Sequence, residues 1–323
     1  DFFTLDVADY IGKRASDTDI EGFVEAHRSF CGDLIIPGIP DHFTVTENYL
    51  RDFAAKFLFA INEAAAIYRH IASVKGEGNF VTEVSMDEVD QPQQPLDMLF
   101  ILKGLADLRV PVQTIAPKFT GRFNKGVDYE GDPVRFGKEF EEDILVIRYA
   151  VKMFGLPSGL KLSVHSGSDK FSIYPVMGQI IRKHHCGIHV KTAGTTWLEE
   201  VIGLALSGGA GLDIAKLIYR RAFERREELC GPYATVIDIK RELLPAPEVV
   251  ETWDSIRYSE TLRHVPGNSN YNPGFRQLIH VGYKVASELG EVYTNALRAN
   301  ADIIAACVIE NIYDRHLKLL FRK

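Results

Sequence analysis

Short apolar runs alternate with longer stretches of helical periodicity along most of the chain. The apolar runs predict strands over 3–7, 33–36, 79–86, 111–116, 160–165, 187–191 and 234–239. The amphipathic stretches predict helices over 46–73, 95–109, 136–154, 172–183, 196–206, 213–229, 276–289 and 291–320. Strands that alternate with helices indicate parallel βαβ units in an α/β protein. Their number favours a (β/α)8 TIM barrel as a single domain over 1–323, with peripheral helices, and a doubly wound sheet is the competing architecture.

Composition excludes several classes of function. The chain has 37 Lys and Arg against 44 Asp and Glu, for a net charge of −7, so a basic face for nucleic acid is not expected. No apolar run is long enough to span a bilayer, and the first residues lack the pattern of a signal peptide. Four cysteines without a CxxC pair are too sparse for a disulfide framework. These features predict a cytoplasmic protein that binds neither nucleic acid nor membrane, and they leave a homo-oligomer open.

Carboxylates crowd at the end of the strand predicted over 79–86. Glu83 and the acidic stretch that follows it lie where a barrel builds its active site, at the carboxyl end of a strand. Asp90 precedes a predicted helix and suits a helix N-terminus. Asp87 and Glu88 come directly at the strand end, and we interpret them as candidate acid–base groups rather than as a solvated loop.

A cationic loop over 118–129 follows the next predicted strand. It contains Lys118, Arg122 and Lys125 together with two glycines. Such a loop can bind a carboxylate or a phosphate through charge-assisted hydrogen bonds. The alternative is a solvated basic loop with no ligand.

Histidines end the two strands that come next. Alternation of side chains puts Ser163 and His165 on one face of the first strand, and His189 and Lys191 on one face of the second. A lone histidine is usually a core residue, but a histidine at a strand end beside the polar run 166–170 suits a metal ligand with an acid–base neighbour. Two such strands in succession favour a metal site.

A loop over 263–276, rich in Gly, Pro and Asn, leads into a helix that carries His280. This loop offers further polar groups to the end of the predicted barrel where the other clusters lie. Templates for nucleotide, zinc-protease and serine-hydrolase sites are absent from the chain: there is no GxGxxG after an early strand, no P-loop, no HExxH and no GxSxG.

Taken together, these clusters resemble the tagaturonate epimerase family. The resemblance is carried by four segments, 84–95, 115–132, 165–171 and 189–195. It implies a metal-dependent epimerisation at C4 of a 2-keto hexuronate that interconverts fructuronate and tagaturonate, with activity on the ketohexoses fructose and tagatose as well. On the matching positions we place His165, His189 and His280 as ligands of a divalent metal ion, Zn, Ni or Mn.

The remaining roles are our own placements on the matching positions, and Asp87 or Glu88 is a possible fourth ligand of the metal ion. We expect the acid–base groups to be Asp87, Glu88 and Asp169. We expect the substrate, a sugar acid or a ketohexose, to be bound by Lys118, Lys125, Lys170, Lys191, Asn268 and Arg276.

The chemistry favours one reaction route. The hydrogen on C4 is not acidic, because C4 is not adjacent to the C2 carbonyl. Reversible retro-aldol cleavage of C3–C4 avoids this difficulty, and transient oxidation at C4 would require a nicotinamide site that the sequence does not show. A barrel isomerase that equilibrates aldose and ketose, and a non-catalytic sugar-binding protein, are the alternatives.

Overall fold

The structure, a computed structural model, describes residues 1–165 and 168–322. The chain divides into two compact units. Unit 1 contains Asp1–Thr120, Val134–Val164 and Lys183–His189, and unit 2 contains Gly121–Pro133, His165–Arg182 and Val190–Lys323. The assignment of a single domain over 1–323 stays a prediction.

The described strands form a five-stranded sheet and a separate two-stranded ribbon. They are β1 Phe2–Asp6, β2 Gly32–Leu34, β3 Phe43–Val45, β4 Val81–Ser85, β5 Thr114–Ala116, β6 Lys161–Val164 and β7 Ile188–Val190. The large sheet has the order β1-β4-β5-β6-β7, and its first four strands pair in parallel. The register puts Glu83 opposite both Thr4 and Thr114. The predicted α/β class is therefore confirmed.

The predicted closed barrel is not shown by these strands. Within residues 1–165 and 168–322 the sheet has five strands rather than eight, so the (β/α)8 barrel stays a prediction. The strand predicted over 33–36 forms as β2, but it pairs antiparallel with β3, outside the large sheet.

The strand predicted over 234–239 is wrong. Its backbone groups are satisfied by partners other than a strand: Val236 O accepts from Lys125 N at 2.8 Å, and Gln277 Oε1 accepts from Asp238 N at 2.9 Å. The amide of Gln277 also donates to Asp238 O at 3.2 Å. β-branched residues made this segment resemble a strand, but a glutamine side chain on a helix takes the place of a neighbouring strand.

Helices occupy most of the rest of the chain. The α-helices are α1 Asp17–His27, α2 Glu47–Phe53, α3 Phe59–Lys75, α4 Pro95–Asp107, α5 Pro133–Phe154, α6 Tyr174–His184, α7 Ala193–Leu206, α8 Gly209–Glu224, α9 Arg226–Cys230, α10 Pro247–Glu251, α11 Ser255–Leu262, α12 Pro273–Val281, α13 Tyr283–Glu288, α14 Glu291–Ala299, α15 Ala301–Val308 and α16 Lys318–Phe321. Two segments wind as π-helices, Ala54–Leu58 and Ile309–Leu317. The predicted helices are confirmed with shifted ends, and three of them are interrupted: the helix over 213–229 at Arg225, the helix over 276–289 at Gly282 and the helix over 291–320 at Asn300.

Local sequence explains why α12 begins where it does. Asn272 accepts a hydrogen bond from Phe275 N at 2.9 Å through its side chain, and Pro273 occupies the first helical position. Phe275 then stacks on Tyr219 at 4.3 Å between ring centroids, and both side chains are fully buried in the core of unit 2. Burial of one such aromatic side chain contributes roughly 2–3 kcal/mol. This packing fixes the face of α12 that carries Arg276 and His280.

Among the described residues, no helix is both long enough and apolar enough to cross a membrane. All four cysteines are free thiols.

Candidate functional site

One polar side chain from each strand of the sheet of unit 1 joins a single hydrogen-bonded row. The row consists of Thr4, Glu83, Thr114, Ser163 and His189, on β1, β4, β5, β6 and β7 respectively. Side chains two residues apart on a strand share a face. The register therefore places Thr4, Glu83, Thr114 and Ser163 on the same face of the sheet.

Glu83 is the centre of this row. Its side chain is 0% exposed. Its carboxylate accepts hydrogen bonds from Thr4 Oγ1 and from Thr114 Oγ1, both at 3.0 Å. Nδ1 of His189 lies 3.0 Å from Glu83 Oε2. A buried carboxylate without partners would be costly, so these contacts account for its presence in the middle of a strand.

His189 is held from three sides. Besides Glu83, the Oγ of Ser163 lies 3.0 Å from Nδ1, and the ring of Phe2 lies 5.0 Å from the imidazole, centroid to centroid. Both hydrogen-bonding contacts involve Nδ1. The side chain remains 31% exposed, so the imidazole bridges a buried carboxylate and a more accessible region.

The ends of β4 and β5 carry other predicted residues of unit 1. Ser85 Oγ donates to Asp87 Oδ1 at 2.8 Å, and Asp87 is half-buried, whereas Glu88 is exposed. After β5, the backbone N–H of Lys118 donates to Gln93 Oε1 at 2.8 Å, which leaves the half-buried Lys118 side chain at this end of the strand. A serine therefore orients one of the two carboxylates that we expect to act as acid or base.

In unit 2, Asp169 and Arg276 form a fully buried ion pair. Arg276 also donates to Gly126 O at 2.7 Å and to Leu262 O at 2.8 Å. Asp169 has a left-handed backbone with φ of 60°, and its N–H donates to His316 at 2.9 Å. Burial acts to raise the pKa of Asp169, but Arg276 and two neighbouring imidazoles hold it below its usual value.

Lys170 is also fully buried. Its ammonium donates to the backbone oxygens of Asn124 at 2.9 Å, Val127 at 2.6 Å and Ser168 at 3.1 Å. Burial lowers the pKa of Lys170 to about 8. An ammonium has three protons, one for each of these oxygens. The side chain therefore holds the loop around 124–127 in place through its hydrogen bonds.

Glu199 adds a second buried carboxylate beside the Asp169–Arg276 pair. Arg276 Nη2 lies 3.8 Å from Glu199 Oε1, and Asn311 Nδ2 donates to that same oxygen at 2.7 Å. Burial raises the pKa of Glu199 to about 7. His316, in the π-helix, closes the cluster by contacting Asn311 O through Nδ1 at 2.9 Å.

Unit 2 also contains a cavity of about 1410 Å³ whose walls include Lys125 and His280. Lys125 Nζ lies 5.0 Å from the ring centroid of Tyr233. Burial lowers the pKa of His280 to about 3, so its imidazole is neutral near neutral pH. A Cβ at Gly194 would lie 2.2 Å from His280 Nε2, so only glycine allows this approach.

Three further predicted positions are Asn268, His165 and Lys191. Asn268 accepts from Asn270 N at 2.9 Å, His165 directly follows β6 and is half-buried, and Lys191 follows β7. Within residues 1–165 and 168–322, no three His, Cys, Asp or Glu side chains are grouped as the ligands of one metal ion. The set of His165, His189 and His280 therefore stays a prediction, as do the predicted substrate contacts. Ser166 and Gly167, which belong to the resemblance, lie outside the described residues.

Sequence reasoning counted Glu83 in the acidic cluster of its strand but gave it no role of its own, and it missed Glu199, Asn311 and His316 as members of polar networks. Glu83 carried a usable signal: it is a carboxylate in mid-strand, between Thr82 and Val84, rather than at the strand end. Glu199 carried a similar signal, because it is a carboxylate within the apolar helix α7. Asn311 and His316 carried none.

Comparison with known proteins identifies the family. The sequence model for tagaturonate epimerase matches residues 2–320. The tagaturonate/fructuronate epimerase of Thermotoga maritima is 31% identical over 331 residues, which cover 98% of this chain and 62% of the relative.

Solved structures agree in fold. Fructuronate-tagaturonate epimerase from Cohnella laeviribosi, complexed with one glycerol, gives a TM-score of 0.76 at 23% identity and covers 99% of this chain and 63% of that one. The native crystal structure gives 0.72 at 22% identity, with the same coverage. This chain thus spans under two thirds of the length of these relatives. The match along nearly the whole chain confirms the resemblance read from the motifs: this chain belongs to the tagaturonate epimerase family.

Proposed function

We propose that the protein epimerises a 2-keto hexuronate at C4, interconverting fructuronate and tagaturonate. The observation that carries this proposal is the family match over residues 2–320, supported by 31% identity to the Thermotoga maritima tagaturonate/fructuronate epimerase. The related ketohexoses, fructose and tagatose, are proposed as second substrates. A cytoplasmic location stays a prediction.

The proposed route is reversible cleavage of C3–C4. A base removes the proton of the C4 hydroxyl, the C3–C4 bond breaks, and its electron pair moves toward the C2 carbonyl. The aldehyde formed at C4 rotates and the bond forms again on its other face, which inverts C4 and returns the proton. The hydrogen on C4 stays on its carbon throughout.

Of the three candidate carboxylates, geometry favours Asp87 as the base. It is half-buried and oriented by Ser85 at 2.8 Å, and a base needs both orientation and access. Glu88, exposed next to it, is the candidate acid. Asp169 is fully buried against Arg276 with a lowered pKa, which makes it a weak base and favours a structural role.

A divalent metal ion, when bound, would supply a Lewis acid for the oxygen at C2. We propose His165, His189 and His280 as its ligands. The donor chemistry of His189 fits this role, because ligating histidines commonly have a carboxylate behind their other nitrogen, as Glu83 lies behind Nδ1. His280 fits in another respect: ligation requires a neutral imidazole, and its pKa is lowered to about 3.

The C6 carboxylate of the substrate requires a cation. Lys125 is the best candidate, since it lines the cavity of unit 2, and Lys118 is the next. The protons of Lys170 and Arg276 are directed at backbone oxygens and at Asp169, so these two residues suit the support of the site better than contact with substrate. Lys191 and Asn268 remain proposed contacts.

The test is to incubate the purified protein with fructuronate in D2O, with and without a chelator. We expect tagaturonate without deuterium at C4, and loss of conversion on chelation that added Zn, Ni or Mn restores. Asp87→Asn should lower kcat by roughly 10²–10⁴-fold, and Asp90→Asn, an exposed carboxylate in the same loop, is the matched control.

Other products would contradict the proposal. An aldose product would indicate the aldose–ketose isomerase alternative, and binding without conversion would indicate a sugar-binding protein. Deuterium at C4 would exclude the retro-aldol route. A large primary isotope effect from deuterium at C4 would indicate transient oxidation instead.

A further inference from the structure

We infer that Glu83 is a positioning residue that holds the proton of the His189 imidazole on Nδ1, so that Nε2 presents its lone pair. The role of Nε2 as a ligand rests on the proposed function. The state of the imidazole does not, because it is set by contacts inside unit 1.

Three hydrogen-bonding contacts of Glu83 support this assignment. Thr4 and Thr114 reach its two different oxygens, at 3.0 Å each. The threonine hydroxyls can donate to an ionised carboxylate, which has only acceptors. The third contact, with Nδ1 of His189, then requires a proton on that nitrogen, because two lone pairs would otherwise meet at 3.0 Å.

Because Glu83 is buried, its contact with Nδ1 determines the tautomer of His189. The Glu83 side chain is 0% exposed, and so water cannot substitute for a lost donor. Ser163 Oγ is also 3.0 Å from Nδ1, but a hydroxyl can donate or accept, and it therefore adapts to either tautomer. Of these two groups in contact with Nδ1, only the carboxylate favours one tautomer of His189 over the other.

The row across the sheet explains how this geometry is kept. Glu83 and its threonine partners are directly opposite each other on paired strands, and the histidine comes from the other edge strand of the same sheet. Each partner is fixed by backbone pairing rather than by a flexible loop. A site built on strands holds its groups more exactly than one built on loops.

The experiment is long-range ¹H–¹⁵N NMR of the metal-free protein labelled at histidine, with His189→Gln to identify the resonances. We expect Nδ1 of His189 in the protonated range and Nε2 in the unprotonated range. A proton on Nε2 in the wild type would overturn the inference, whether Glu83 carries the proton shared with Nδ1 or the imidazole is protonated on both nitrogens.

Two variants separate the neighbours of Nδ1. Glu83→Met should abolish the tautomer preference, whereas Ser163→Ala should preserve it. The inference fails if Glu83→Met retains the wild-type tautomer, or if Ser163→Ala loses it. If Glu83→Met does not fold, the tautomer of His189 measured in the wild type and in Ser163→Ala still tests the inference.

The same samples distinguish this inference from the proposed function. The tautomer is read without substrate or metal, and conversion of fructuronate is measured separately. Correct tautomer without conversion would reject the proposed function and leave the role of Glu83 intact. Conversion with the opposite tautomer would reject the role of Glu83 alone.

Discussion

Replacing Glu199 by Gln should change how the free energy of unfolding depends on pH. Burial raises the pKa of Glu199 from 4.5 to about 7, although Arg276 acts in the other direction. One pKa unit corresponds to about 1.4 kcal/mol, so the difference amounts to about 3 kcal/mol. The folded state binds this proton more tightly than the unfolded state. Its contribution to stability is therefore complete at low pH and is lost as the pH rises from 4.5 through 7.

Histidines of the same unit act with the opposite sign. Burial lowers the pKa of His264 and of His280 to about 3. The unfolded state takes up these protons first as the pH falls below 6.5, so the stability that the neutral imidazoles contribute is lost on acidification. The profile of the whole protein mixes both effects, and the informative quantity is the difference between variant and wild type.

The assay is urea unfolding of wild type and Glu199→Gln over a series of pH values. Gln keeps an oxygen to accept from Asn311, so the two curves should nearly coincide at low pH. Above pH 7 the variant should gain about 3 kcal/mol relative to wild type. Glu224→Gln, an exposed carboxylate of unit 2, controls for the loss of one charge. Parallel profiles for Glu199→Gln and wild type would refute the reasoning.

Two further substitutions test the packing around the candidate site by chemical denaturation. Lys170→Met should cost about 3 kcal/mol or more, because three backbone oxygens lose their donor, whereas the half-buried Lys118→Met should stay within about 0.5 kcal/mol. Equal effects would show that the buried ammonium is not structural. Gly194→Ala should cost about 1–3 kcal/mol by displacing His280, while Gly22→Ala in α1, where the added Cβ has open space, should be neutral or stabilising. If Gly194→Ala leaves the free energy of unfolding unchanged, the imidazole of His280 has room to move.

Long-range pairing limits what the sequence alone can show about the row of unit 1. Glu83 meets Thr114 across 31 residues and His189 across 106. Local patterns correctly predicted the strands that carry these residues. They do not predict the order of strands in a sheet, and a carboxylate in mid-strand is interpretable only once its partners on both sides are known.

Burial was the second limit. Asp169, Lys170 and Arg276 were all identified as chemically important from their charge, but their burial was not predicted. In the fold they face one another and the backbone, since α12 and the 168–170 segment pack together within unit 2. Sequence shows which groups carry charge, and only packing shows whether that charge is available to a ligand.

The course of the chain through the two units has a consequence for biosynthesis. Unit 1 contains Lys183–His189 as its last segment, and its sheet is completed by β7. A ribosome delivers the polypeptide from the N-terminus, so unit 1 stays unfinished until His189 has emerged. By then Gly121–Pro133, a segment of unit 2, has also emerged, but most helices of that unit are not yet translated. A single cut therefore releases neither unit as a self-contained piece, and split versions of the protein should regain structure by fragment complementation rather than by independent expression.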